Sequence, residues 1–136
     1  NSLMREEAKR VLQELKIRIE SYTVPVDFLS GGQRQAIAIA RAVGADGSVV
    51  MLDEPTAALG VAQTRQVLDV VKRLRDTNHA VIYISHNMRD IFEVADRICV
   101  LRHGSNVATW RKEDITPDEI VAAMTRGLDD EAGNAA

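Results

Sequence analysis

The chain has 136 residues, a formal net charge of -3, 46% hydrophobic and 27% charged residues, a length that suits one domain with a sizeable core. Its Lys and Arg residues are scattered among acids, which gives no support to a nucleic-acid partner, and its single cysteine excludes a disulfide framework and fits a reducing compartment. No apolar run approaches the ~18 residues of a membrane span and the N-terminus is charged, unlike a signal peptide, so any membrane association is expected to be peripheral.

In chain order, Met4, Ala8, Val11, Leu12, Leu15 and Ile19 recur at helical spacing, with Glu6–Arg10 and Glu14–Arg18 as i,i+4 pairs, which predicts an amphipathic helix from Met4 to Glu20. Ser21 to Leu29 contains Pro25 and β-branched residues and reads as a loop. Gln33 to Val43 reads as a helix apolar nearly all round, hence buried, with Gly44 as its C-cap. Val49–Leu52, Ala80–Ser85 and Arg97–Leu101 are short apolar runs without alternation, the pattern of strands buried on both faces in a parallel sheet. Cys99, inside the third run, is expected in the core.

Between the first two runs, Val61, Thr64, Val67, Leu68, Val71 and Leu74 form the inward face of a helix over about 61 to 77. Lys72, Arg73 and Arg75 complement the dipole at its last turn. A short helix over about 88 to 95 follows, with Asn87 as N-cap. His103 to Asn106 reads as a hairpin turn into Val107–Trp110. Thr116 and Glu119 form a capping box, with Pro117 at the first position of a last helix ending near Gly127; residues 128–136 read as a frayed tail. Alternating strands and helices give an α/β fold with right-handed crossovers, mostly parallel, closed by a C-terminal hairpin.

In such sheets chemistry collects at the carboxyl ends of the strands. Asp53 and Glu54 lie at one such end, and Ser85 and His86 at the next. A carboxylate at a strand end can hold Mg²⁺, mostly through water, and a second beside it can act as a general base. An imidazole in the same place can donate to a phosphate or position water. The stretch LSGGQ, Leu29 to Gln33, is more specific. Ser30 can cap the following helix, and Gly31 and Gly32 leave backbone N–H groups open to an anion that the helix dipole favours. His79 and His103 lie in turn-like contexts, are expected to face solvent, and carry no assigned role.

Taken in order, LSGGQRQ, VVMLDEPTAALG and ISH resemble the signature motif, Walker B segment, D-loop and switch histidine of ATP-binding-cassette (ABC) ATPases. The wording is most similar to ATP-binding subunits of bacterial importers of the ribose, xylose and fructose type. The resemblance covers nearly the whole chain and implies a partial P-loop NTPase-like domain. In that reading residues 1–127 form its C-terminal portion, with 1–45 from the helical subdomain and 46–127 from the core. It implies ATP and Mg²⁺ as cofactors, Asp53 toward the metal, Glu54 as general base and His86 at the γ-phosphate. Ser30, Gly31, Gly32 and Gln33 would face a nucleotide held by a second nucleotide-binding subunit in a head-to-tail dimer. Ala57, Ala58, Leu59 and Gly60 would be the D-loop, where Gly60 replaces the family's usual Asp. Implied partners are transmembrane permease subunits and, indirectly, a periplasmic or extracellular solute-binding protein. The implied location is cytoplasmic, peripheral at the inner face of the cell membrane.

No GxxxxGK[ST] stretch and no preceding strand occur in the 136 residues. The chain is therefore expected to be a portion of a nucleotide-binding domain that lacks the Walker A strand and loop, and to bind and hydrolyse ATP poorly alone. Two alternatives share the motifs: a soluble ABC ATPase of repair or translation type, and a non-catalytic dimerisation module completing another chain's site. The stretch DEPTAALG and the compact C-terminal end favour the importer.

Overall fold

The structure is a computed structural model and describes residues 2–43 and 48–126. The expected Gly44 cap, the 45/46 boundary and the 128–136 tail lie outside the described residues. The chain divides into two compact units, Asn1–His86 and Asn87–Ala136.

In the first unit α1 spans Ser2–Glu14, α2 Gly31–Val43, β1 Val49–Asp53, α3 Val61–Asp76 and β2 Ala80–Ile84, with a 3₁₀ turn at Val26–Phe28. The periodicity that suggests a helix to Glu20 stops at Glu14. Lys16 there takes a left-handed φ of 51°, and the amides of Lys16 and Ile17 donate to the carbonyls of Gln13 (3.0 Å) and Leu12 (2.8 Å). This is a Schellman ending with lysine in the position glycine usually holds. The Arg73 guanidinium donates from Nη1 to the carbonyls of Leu15 (2.8 Å) and Lys16 (3.3 Å). That long-range cap supplies partners for carbonyls the ending leaves free, and local sequence cannot announce it.

The core of this unit is built on α3. Val67 and Leu74 are completely buried, with Leu68, Val70 and Val71 nearly so; burial of each such side chain contributes about 1.5–3 kcal/mol. Val61, expected inward, is 78% exposed, because the buried stripe begins only at Val67. Helix α2 presents Gly32, Ala36, Ile39 and Ala40 to the core and is amphipathic rather than apolar all round. It packs against α1, α3 and β1.

Strands β1 and β2 pair in parallel, Val49 opposite Ala80 through Asp53 opposite Ile84. Their burial alternates, so the expectation of two covered faces is corrected. Val50 and Leu52 are buried, while Val49, Met51, Ile82 and Ile84 are all exposed on the other side. An unalternating apolar run specifies strands able to be covered twice; among the described residues one cover is supplied.

In the second unit α4 spans Met88–Val94, β3 Arg97–Arg102, β4 Ser105–Arg111 and α5 Pro117–Arg126. The third apolar run does not extend the parallel pair: β3 pairs antiparallel with β4. The loop between them is only His103 and Gly104, with φ of 49° and 77°, and such a tight connection forces antiparallel pairing. Ile98 and Val100 turn inward against Ile120 and Ala123 of α5, with Phe92 and Trp110 packed at the edge. Cys99 therefore points outward and is exposed, contrary to the core expectation; period-2 geometry on a one-sided hairpin leaves no choice. The caps match their sequence signals. Asn87 Oδ1 accepts from the amides of Arg89 (3.1 Å) and Asp90 (3.4 Å). Thr116 and Glu119 bond reciprocally, the Thr116 amide to Glu119 Oε2 at 2.8 Å and the Glu119 amide to Thr116 Oγ1 at 3.4 Å.

Candidate functional site

The parallel register sets the ends of β1 and β2 side by side, which brings two separate sequence stretches together. Asp53 closes β1 with its side chain exposed. Glu54 then adopts a left-handed φ of 45°, a conformation costing roughly 1–2 kcal/mol for a residue with a Cβ. Its amide donates to the Ile84 carbonyl at 2.9 Å. The reversal aims the carboxylate across to the end of β2, where three donors meet it. Oε1 accepts from the His86 amide (3.1 Å) and His86 Nδ1 (2.7 Å), and Oε2 from Ser85 Oγ (3.4 Å). Donation from Nδ1 fixes a proton on that nitrogen and leaves Nε2 facing outward on a ring whose side chain is 76% exposed.

The His86 ring hydrogen bond holds the Glu54 carboxyl below its ordinary range, helped by His86 charge, the His86 amide and Ser85, while partial burial acts oppositely. A depressed carboxylate pKa contributes stability that is fully present above its unfolded value and lost as pH falls through the folded one. A carbon-detected NMR titration should therefore place the Glu54 midpoint below the ordinary ~4.3, and His86→Ala should raise it. A midpoint unchanged by His86→Ala would contradict the hydrogen-bond assignment.

Helix α2 starts at the glycine pair. Ser30 Oγ accepts from the Gln33 amide (3.2 Å) and Gln33 Oε1 accepts from the Ser30 amide (3.0 Å). This is a reciprocal capping box. Accepting there leaves the Ser30 hydroxyl proton free to donate outward. Arg34 ties down the approach, donating to the Leu29 carbonyl at 2.9 Å. The glycines have a second physical reason. A Cβ on Gly32 would lie 3.1 Å and 3.2 Å from the Cβ and Cα of Gln63, and a Cβ on Gly31 would lie 3.0 Å from Leu59 Cδ2. A side chain at Gly32 would push the start of α2 away from α3, and one at Gly31 would press on the Leu59 side chain.

The segment between the two clusters is wound tightly. The Ala57 amide donates to the Glu54 carbonyl (3.2 Å) and the Leu59 amide to the Thr56 carbonyl (3.1 Å). Thr56 is buried, with Oγ1 3.3 Å from the Tyr83 hydroxyl. Ala58 and Gly60 are exposed. Gly60 caps α3 at φ -72°, a conformation open to any residue, so backbone geometry does not require glycine there. Of the other histidines, His103 is exposed as expected. His79 is half-buried, its Nδ1 3.0 Å from Thr77 Oγ1, a structural contact that corrects its solvent-facing expectation. Sequence reasoning gave no role to Gln63 or Ser85; a Gln at the third position of a helix is the signal that could have marked Gln63.

Among the described residues no three His, Cys, Asp or Glu side chains converge as a metal site. Asp53 offers one exposed carboxylate, a donor set that fits a Mg²⁺ ion carrying most of its shell as water and phosphate oxygen. No helix of the described residues is long and apolar enough to cross a membrane.

Residues 3–57, which include both the signature stretch and Asp53–Glu54, match the family model described as ABC transporter. Over 122 residues the chain is 44% identical to the xylose/arabinose import ATP-binding protein of Sulfolobus acidocaldarius, covering 90% of this chain and 49% of that protein. The chain is similar to ABC transporter ATP-binding proteins. It is also 43% identical over 123 residues to the fructose import ATP-binding protein of Rhizobium meliloti, covering 90% of this chain and 47% of the relative. It thus spans about half the length of these relatives. Among solved structures it resembles an inward-facing ABC transporter of metal-chelate type, with a TM-score of 0.79 and 28% identity over 91% of this chain and 50% of the other. The α/β, ABC ATPase-type architecture expected from the motifs is the one observed, for that part of the fold the chain covers.

Proposed function

We propose that this chain forms part of the ATP-binding subunit of an importer, coupling ATP hydrolysis to uptake of a carbohydrate. The observation that carries the reading is the Glu54 carboxylate, turned at the end of β1 to meet the Ser85 hydroxyl and the His86 ring and amide, and set beside the exposed Asp53. The sugar-import relatives support the solute class.

In this reading Glu54 takes the proton of the attacking water as general base. His86, with its Nδ1–H donated to Glu54, reaches the γ-phosphate as the doubly protonated imidazolium, whose Nε2–H donates to a phosphate oxygen. Asp53 would hold Mg²⁺, mostly through water, and the ion would neutralise charge on phosphate oxygens. At the start of α2 the Ser30 hydroxyl and the amides of Gly31 and Gly32, with Gln33 facing the same site and fixing Ser30 through its own amide, meet the phosphate of a nucleotide bound by a second subunit, arranged head to tail. Ala58, Leu59 and Gly60 cross between the two sites. The remaining partners are permease subunits and, through them, a solute-binding protein, so that the assembly sits at the inner face of the cell membrane.

Because the 136 residues contain no GxxxxGK[ST] stretch, the cradle that supplies most phosphate binding is not encoded here. Calorimetry should show no submillimolar ATP affinity for the chain alone. A chimera adding the remaining portion of the Sulfolobus acidocaldarius relative should bind ATP and hydrolyse it. Submillimolar binding by the chain alone would overturn the stated division of labour. A folded chimera that binds ATP without hydrolysing it would overturn the catalytic assignment and favour the non-catalytic module.

A further inference from the structure

Two parts of the candidate machinery, the glycine pair at the start of α2 and the Ala57–Gly60 loop, are distant in sequence yet meet on one side chain. Gln63 lies in the first turn of α3 and is half-buried. Its Oε1 accepts from the Gly60 amide at 3.3 Å, which fixes the end of the loop to the helix. The same oxygen lies 3.6 Å from where a Cβ on Gly31 would stand, and the Cβ and Cα of Gln63 lie 3.1 Å and 3.2 Å from where a Cβ on Gly32 would stand. Leu59, one residue before the anchored amide, fills the remaining side of Gly31. The two glycines thus let the first turn of α2 lie close to the Cα and Cβ of Gln63 in the first turn of α3 and to the Leu59 side chain of the loop, with too little room for a side chain between them.

We propose that Gln63 is a positioning residue that locks the Ala57–Gly60 loop to the signature glycines of the same chain, so that displacing the loop displaces the Gly31 and Gly32 amides. Its meaning for turnover rests on the ATP-hydrolysis reading above, but the lock itself is a property of the chain. With the lock in place, a loop shift arriving from one nucleotide site moves the anion-facing amides that serve the other. Without it the two segments respond separately. Its proposed action is through Gly31, Gly32 and Gly60.

The test uses the ¹⁵N-labelled 136-residue chain without nucleotide, so failure of the ATP reading and failure of this one are separable. Gly60→Asp is the perturbation: the residue is the N-cap of α3 with room for a side chain, and a carboxylate there would accept from the first-turn amides of the helix and draw the loop end without a clash. In the wild-type background it should shift the Gly31 and Gly32 amide resonances. In a Gln63→Ala background, which keeps the Cβ and removes the acceptor, that response should fall to about a third or less, in the manner of a double-mutant cycle. Gln63→Glu, which keeps an acceptor oxygen at the same reach, should restore it. A residue with a structural role alone would lower the unfolding midpoint and leave the transmitted shift unchanged. An undiminished response in Gln63→Ala overturns the proposal. If Gln63→Ala does not fold, Gln63→Leu takes its place with the same two outcomes.

Discussion

Glu54→Gln should lower ATP turnover of the chimera by on the order of 10²- to 10⁴-fold, the range associated with losing a general base, while nucleotide affinity stays nearly unchanged. The substitution is close to isosteric. A glutamine carbonyl oxygen can still accept from the His86 amide and Nδ1, now at 3.1 Å and 2.7 Å. What disappears is the charge and the capacity to take a proton from water. Only the Ser85 hydroxyl, 3.4 Å from Oε2, faces an altered partner, and it can reorient to accept from the new amide. The fold around β1 and β2 should therefore survive, which steady-state hydrolysis and circular dichroism on the same sample would check together. Hydrolysis at the wild-type rate would remove Glu54 from the mechanism. Loss of turnover accompanied by loss of ATP binding would assign it to ligand retention instead.

The second large effect is structural. Gly32→Val should destabilise the first unit by about 1–3 kcal/mol, the usual consequence of overpacking, and lower its unfolding midpoint by roughly 5–20 °C. The site is buried; the Gln66 Oε1 at 3.0 Å can swing away, but the Cα and Cβ of Gln63 at 3.2 Å and 3.1 Å cannot. Alanine is the informative intermediate. Its helix propensity gains roughly 0.5–1 kcal/mol over glycine, which opposes the few tenths of an ångström that α3 must yield, so Gly32→Ala should lie near neutrality. Gly60→Ala is the control, with open space around it. Thermal denaturation followed by circular dichroism would rank the three. A Gly32→Val chain as stable as the wild type would mean that α2 and α3 can separate, and the close-approach explanation for the glycine would fail.

Much of the local structure can be read directly from residue types. Asn87 and the Thr116–Glu119 pair cap their helices as spelled, and Pro117 opens α5 where its missing N–H is harmless. Ser30 with Gln33 three positions on is also a capping-box spelling, and the structure forms it. The buried stripe of α3 follows from its 3.6-residue period. The places where reading by pattern fails share one cause. Lys16 ends α1 in a left-handed turn because Arg73, far along the chain, caps the carbonyls. Cys99 turns outward because the His103–Gly104 turn pairs β3 with β4 in a one-sided hairpin.

The candidate site divides along the same line. Asp53, Glu54, His86 and the LSGGQ stretch can be named from sequence because special chemistry needs particular residue types at strand and helix ends. That Glu54 leaves β1 with a left-handed φ, and so meets Ser85 and His86, depends on the parallel register of β1 and β2. That Gly31 and Gly32 face Leu59 and Gln63 depends on how closely α2 lies against α3. Residue identity and spacing by themselves determined which groups are available and which family they resemble. Which of those groups touch was decided only by tertiary packing, because hydrogen bonds and van der Waals contacts act over a few ångströms in space, whatever the separation along the chain.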